Sequence, residues 1–594
     1  MKKLLAFLSI IALSSSSYAV NTYTKEQMKR ELQFVADTYR TAYAPTQWKN
    51  KHIGWDLELE LDNALGKIDG KSDLSVKDYH KILKDFFRST QDYHVGYRFH
   101  STERAVLPFS VKSAEGKVYI AHVNREKLSQ VAFPYNPGDE VVEFGGRPVN
   151  EVLDELAATS GMGVERTDRA LAELFLTSRA GSRAMDVPRG TIDIGLKKPG
   201  AESVSHIQLI WEYTPEDLTF PGTESVTPLG FEKQSLNTEN NFVNRIKNTQ
   251  MTLFGYEDFM AEETGKDSAE KHNPFEIGGK KSYVPTLGKV VWEADESNHY
   301  HAYIYKNKEG HLIGYVRIAH YGAGAEEFKQ FKEIIKKYEE LTDALVIDEI
   351  NNPGGSLFYI YALNSVLTDK IIYTPKEHIR IYPEHIVEAS NTLKQMAKIT
   401  NDEEAQKALG TDWSGYPVTY QTVEYLKEFS RFILAEWQAG KTLTDPTYIW
   451  GADKVNPNKD VNYTKPILIL TNELDFSGGD FFPAILQDNK RATIMGVRTA
   501  GAGGFVLRTS VPSALGLEFF SFTGSLAKRI NDQPIENLGV TPDIDYEITE
   551  KDIRSGFSEY GKAINEAINK MAGIESVKEE ENKETKDVED QVKP

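Results

Sequence analysis

Pro466-Ile-Leu-Ile-Leu-Thr-Asn-Glu-Leu-Asp-Phe-Ser477-Gly-Gly-Asp-Phe-Phe-Pro-Ala-Ile-Leu486 is the stretch from which the rest of the chain can be read. Its apolar run, Ile467 to Leu470, predicts a buried strand. A short polar turn leads to Ser477-Gly-Gly, and an apolar stretch then begins as a helix. Ser477 thus stands at a strand-to-helix turn, where free N–H groups and the positive end of a helix can stabilise a developing oxyanion. The turn has the character of a nucleophile elbow without the letters G-x-S-x-G. With Ser477 as nucleophile the chain is an acyl-transfer enzyme, and a base and an oxyanion hole lie elsewhere in it.

The flanking sequence predicts an α/β core over 291–573. Leu312 to Ala319, Ala344 to Asp348 and Ala492 to Val497 read as further strands. Glu326 to Tyr338 and Leu357 to Leu367 read as helices between them. Strands alternating with helices imply a parallel sheet. Residues 375–465 interrupt the pattern with polar, mostly helical sequence.

Ahead of the core, residues 20–105 read as helical. Thr24 can cap a helix with Met28, Leu32, Val35 and Tyr39 on one face, and a second covers Val76 to Phe87. Residues 106–215 read as a β-rich domain. It contains Asn136-Pro-Gly-Asp-Glu-Val-Val-Glu-Phe-Gly-Gly-Arg-Pro-Val-Asn150, a turn, strand, Gly-Gly turn and helix start. This run resembles part of a PDZ domain, which binds extended peptides by strand addition; an ordinary hairpin is the alternative. Residues 216–290 are polar and weakly periodic, and predict a flexible insertion. The charged tail, 574–594, predicts disorder.

Across its 594 residues the chain has no cysteine, which excludes thiol catalysis, and a net charge of −19, which argues against nucleic acid as partner. Lys2 and Lys3, the apolar run Leu4 to Leu13 and the small-residue stretch ending at Ala19 read as a signal peptide, 1–19. The run is too short for a permanent membrane anchor. Export to the periplasm or the cell exterior is therefore expected.

Two glycine loops carry further chemistry. Asn351-Asn-Pro-Gly354-Gly355 follows a strand and opens a helix, so its backbone N–H groups can face a ligand. Ser356 after it reads as a helix cap and is the alternative nucleophile. Gly496 to Gly504 fits no phosphate-binding pattern and reads as a tight loop beside a site. No cofactor or metal is expected: His299-Tyr-His301 lacks a convincing third ligand.

Asp348-Glu-Ile-Asn-Asn-Pro-Gly-Gly355 resembles the "DLRNNPGG" loop of tail-specific (C-terminal-processing) serine peptidases. Glu473 to Ser477, Gly496 to Gly504 and Glu536 to Asp543 match that family's later motifs in order. The resemblance is closer to the branch of the chlamydial protease-like activity factor, and extends to Trp55, Tyr93-His94-Val95-Gly96 and Gly524 to Ala527. It implies a ClpP/crotonase-like α/β core joined to the N-terminal helical region and the PDZ-like domain. The broader family looks like Ser/Lys dyad enzymes, yet the position of that lysine, 502, holds alanine. The branch instead implies a triad of Ser477, His94 as base and Glu536 as orienting carboxylate. The N–H groups of Gly478 and of Gly355 or Gly354 would hold the oxyanion. Without the resemblance, His320 rivals His94, and Glu473 and Asp475 rival Glu536. The resemblance further implies protein or peptide substrates, a homodimer, and an inactive precursor cut within about 230–285. A catalytically dead peptide-binding scaffold and a C-terminal-processing peptidase are the alternatives.

Overall fold

The computed structural model describes residues 24–216, 250–252, 273–511 and 513–575. The predicted signal peptide, most of the predicted charged tail and the bulk of the predicted cleavage region lie outside them.

The core is a seven-stranded sheet in the order Lys289–Glu293, Ala302–Lys306, Leu312–Arg317, Ala344–Asp348, Ile467–Thr471, Thr493–Gly496, Ile544–Asp545. The last five strands run parallel, as the βα alternation predicts. The first two join antiparallel, so the sheet is mixed, not wholly parallel. Ala344–Asp348 and Ile467–Thr471 are buried on both sides, which explains why they read as unbroken apolar runs. One sheet face packs on the helices Ala325–Leu341, Leu357–Val366 and Gly478–Asp488. The other is covered by Ser558–Ala572 and by Phe275, Tyr283 and Leu287.

Four helices form the N-terminal region: residues 24–42, Thr46–Ile53, Leu57–Gly70 and Val76–Ser89. Met28, Leu32, Val35 and Tyr39 are buried, as their spacing predicts. Their core is completed from the far end of the chain by Leu517, Phe520 and Phe522. Tyr97–Phe99 pairs antiparallel with Leu517–Thr523, which pairs in turn with Val506–Ser510. The β-rich domain orders its strands Phe109–Ala114, Lys117–Val123, Glu140–Phe144, Thr191–Lys197, Ser205–Ile210. The helices Val149–Ser160 and Glu165–Thr177 pack on them.

Of the stretch 216–290 expected as one flexible insertion, residues 217–249 and 253–272 lie outside the described residues. Residues 273–288 are packed: Phe275 stacks on Tyr283, and both rings lie against Phe557. Gln250–Thr252 pairs antiparallel with Gly354–Ser356.

Within 375–465 the helices Pro383–Met396 and Tyr420–Gln438 follow a short strand, Lys376–Ile379. That strand buries Glu377 completely, with the Ser525 hydroxyl donating to it. Burial pushes the Glu377 carboxyl up to about 7. Its neutral form therefore fits the folded state, and the stability it contributes is lost as pH rises from the ordinary carboxylate range through about 7. The gap in unfolding free energy between wild type and Glu377→Gln should fall by about 3 kcal/mol between pH 4.5 and pH 8. Urea titrations of both proteins at the two pH values measure it; an unchanged gap would refute the assignment.

Candidate active site

Ser477 follows the strand Ile467–Thr471 and caps the helix Gly478–Asp488 with φ 57° and ψ −108°. A non-glycine residue rarely holds a positive φ, and does so where its surroundings enforce it. Here Asp480 does, its Oδ2 accepting from Ser477 N at 2.8 Å. Asp480 also accepts from the Thr499 hydroxyl and from Gly501 N (2.8 Å) and Ala502 N (2.9 Å). Burial raises its carboxyl to about 7 against these hydrogen bonds. Ala502 meets Asp480 through its backbone, and its methyl group belongs to the apolar cluster of Tyr93, Leu474 and Phe476. The Ser477 hydroxyl is buried and has no hydrogen-bond partner among the described residues.

The paired glycines lie beside it. A Cβ on Gly478 would stand 3.0 Å from both Gly354 Cα and Gly355 N. Gly354 N donates to Asn352 Oδ1 at 2.8 Å, so that N–H is already engaged in this arrangement. The two loops are bolted together: Asp475 accepts from Asn352 N (2.8 Å) and Asn472 N (2.7 Å), and Phe476 N donates to Asn352 O at 2.8 Å. Asp475 is thus a brace between loops. Ser356 caps the helix Leu357–Val366, its hydroxyl accepting from Tyr359 N at 3.4 Å. Glu473 pairs with Lys112 of the β-rich domain.

His94 arrives on the turn after Val76–Ser89. Asp92 Oδ1 accepts from His94 N at 2.8 Å, and the Ser521 hydroxyl donates to His94 O at 2.8 Å. The Tyr93 ring meets the Phe476 ring at 5.4 Å, so the residues preceding His94 and Ser477 touch. Both His94 ring nitrogens are buried and unpartnered among the described residues. Burial lowers the imidazole to about 4, with Lys49 pushing the same way and Asp92 opposing. It is neutral near pH 7, the form a general base requires.

Glu536 is also fully buried. Its Oε2 accepts from Gly503 N at 2.9 Å, in the loop whose preceding two residues hold Asp480. Its Oε1 accepts from Lys49 Nζ. Burial, then Asp92, push the carboxyl up to about 8, with Lys49 opposing. His94 makes no hydrogen bond to Glu536 or to Ser477 in this arrangement.

His320 and the His299/His301 pair make other contacts. His320 Nδ1 accepts from Gly322 N at 3.2 Å, and its ring packs on His299 at 5.3 Å. His301 packs on Tyr303 and Tyr315. Among the described residues no group of three or more potential ligands could hold a metal. Sequence reasoning missed Lys49, Asp92 and Asp480. Asp480 was findable, because Ser-x-x-Asp is the capping spacing.

Residues 312–546 match the family model of peptidase family S41, and 103–219 that of a PDZ domain. The chain is 35% identical to a protein of Chlamydia muridarum, over 92% of this chain and 93% of that one. It is 34% identical to a protein of Chlamydia pneumoniae, over 91% and 90%. Among solved structures, mature CPAF matches with a TM-score of 0.78 at 30% identity, over 93% of this chain and 99% of that one. Mature CPAF complexed with lactacystin matches at 31% identity with the same TM-score and coverage.

Proposed function

The chain belongs to peptidase family S41, in the branch of CPAF, and is a serine peptidase; from that premise we propose an exported endopeptidase with a triad of Ser477, His94 and Glu536. The observation that carries this reading is Ser477 itself, strained at a helix start, its hydroxyl unpartnered among the described residues, with the adjoining Gly478 packed against Gly355.

Ser477 Oγ attacks the scissile carbonyl. Neutral His94 takes its proton and returns it to the leaving amine. Glu536 stabilises the imidazolium between those steps. The N–H groups of Gly355 and Gly478 hold the oxyanion, a contribution of about 3 kcal/mol for each donor.

Two features favour a latent form awaiting rearrangement. Glu536 is engaged by Lys49 instead of His94. Gln250–Thr252 lies antiparallel along Gly354–Ser356, the edge on which an extended substrate would add as a strand. Cleavage within 216–290 would release that strand. A homodimer and export by the predicted signal peptide complete the proposal.

Labelling with a fluorophosphonate, mapped by peptide analysis, tests it. The adduct is expected on the peptide carrying Ser477, with faster labelling once the insertion is cut. An adduct on another serine would overturn the nucleophile.

A further inference from the structure

Lys49 is an ordinary-looking lysine on the short helix Thr46–Ile53, yet its side chain is completely buried. An ammonium has three donors, and burying it is costly unless each is used. All three are used. Nζ donates to Glu536 Oε1, to Gln91 O at 2.6 Å and to Asn537 Oδ1 at 2.8 Å. Asn537 Nδ2 also donates to Gln91 O at 2.7 Å. Lys49 therefore joins its own helix to the loop that carries His94 and to the loop that carries Glu536.

We propose that Lys49 is a positioning residue of the catalytic machinery, which holds the Glu536 carboxyl group in place between its own helix and the loop that carries His94. The proposal rests on the triad reading. Around Glu536 stand Lys49, Asp92 ahead of His94, and Tyr43 at the end of the first helix region. Asp92 in turn accepts from the Tyr43 and Thr523 hydroxyls. Of these groups Lys49 alone is cationic. Burial and Asp92 raise the carboxyl to about 8 against the pull of Lys49, so without Lys49 it keeps its proton to still higher pH. With it, the carboxylate forms at a lower pH than it would otherwise, and its remaining lone pairs stay open to His94 once the two groups are brought together. Lys49 acts through Glu536 and touches no substrate.

The test is a cycle on the full chain, with casein turnover and fluorophosphonate labelling rates followed from about pH 6 to about pH 9. Lys49→Gln should lower kcat/KM near neutrality by about a hundredfold or more. Its activity should recover as pH rises, with the midpoint moved up by about one unit or more. Lys49→Arg keeps the charge and should keep the wild-type midpoint, even where turnover falls. In a Glu536→Gln background, Lys49→Gln should cost nothing further.

An equal cost of Lys49→Gln in both backgrounds, or an unmoved midpoint, would make Lys49 structural only and overturn the proposal. A Lys49→Arg midpoint displaced upward would do the same, and stands as the test if Lys49→Gln does not fold. Loss of activity in Glu536→Gln with Lys49→Gln fully active would sink the Lys49 role and leave the triad standing. Full activity in Glu536→Gln would sink both.

Discussion

Ser477→Ala is expected to lower casein turnover by about a millionfold, the cost of deleting a triad nucleophile. The fold should not notice. The Ser477 hydroxyl has no hydrogen-bond partner among the described residues, so its removal strands no buried group there. Alanine accepts the same backbone conformation no worse than serine, and Asp480 still receives the backbone N–H of residue 477. The unfolding midpoint should therefore stay level or rise slightly. Turnover within tenfold of wild type would remove Ser477 from the chemistry. A large fall in stability would mean that the activity loss had been misread.

Gly355→Ala should fail by a different route. A Cβ there would stand 2.0 Å from Tyr321 C and 2.3 Å from Gly322 N. Both are backbone atoms of a neighbouring segment, held by Tyr321 N to Gly354 O at 2.7 Å and Ser356 N to Tyr321 O at 2.9 Å. Neither can yield as a side chain would, and φ at Gly355 is +152°. We expect about 3 kcal/mol or more of lost stability. We also expect a fall of at least about 10²-fold in labelling rate of the folded fraction, because the N–H proposed as an oxyanion donor is displaced. Gly322→Ala is the control: its Cβ would meet only His320 Nδ1, at 3.5 Å. Equal melting and labelling of the two variants would refute the argument.

Where local pattern and burial agree, the sequence is legible. Val346 and Ile347 are buried on opposite faces of the sheet, as are Leu468 and Ile469, and all four read as strand centres. The turn, strand and helix around Asn136 to Asn150 fall where their letters put them, with Glu140–Phe144 followed by Val149–Ser160. Ser477 was legible because one short segment contains its whole turn. Tyr97–Phe99 was not, since three residues carry no period and its partner lies near residue 520. His94 and Glu536 could be chosen only by resemblance, because nothing local to either points at the other. Lys49 left no signal: its helix is short, and the acceptors that bury it come from residues 91, 536 and 537. The packing of 273–288 hid behind polar neighbours, since two aromatic anchors, Phe275 and Tyr283, do most of the work.

The pairing of Tyr97–Phe99 with Leu517–Thr523 sets an order of events during synthesis. A chain growing from its N-terminus makes His94 early, but the strand that seats the segment after it emerges only when some nine-tenths of the protein exists. A nascent or prematurely ended chain has the histidine and even the serine without the frame that brings them together. A chain ended just before Leu517 should therefore show no turnover, although it contains both His94 and Ser477.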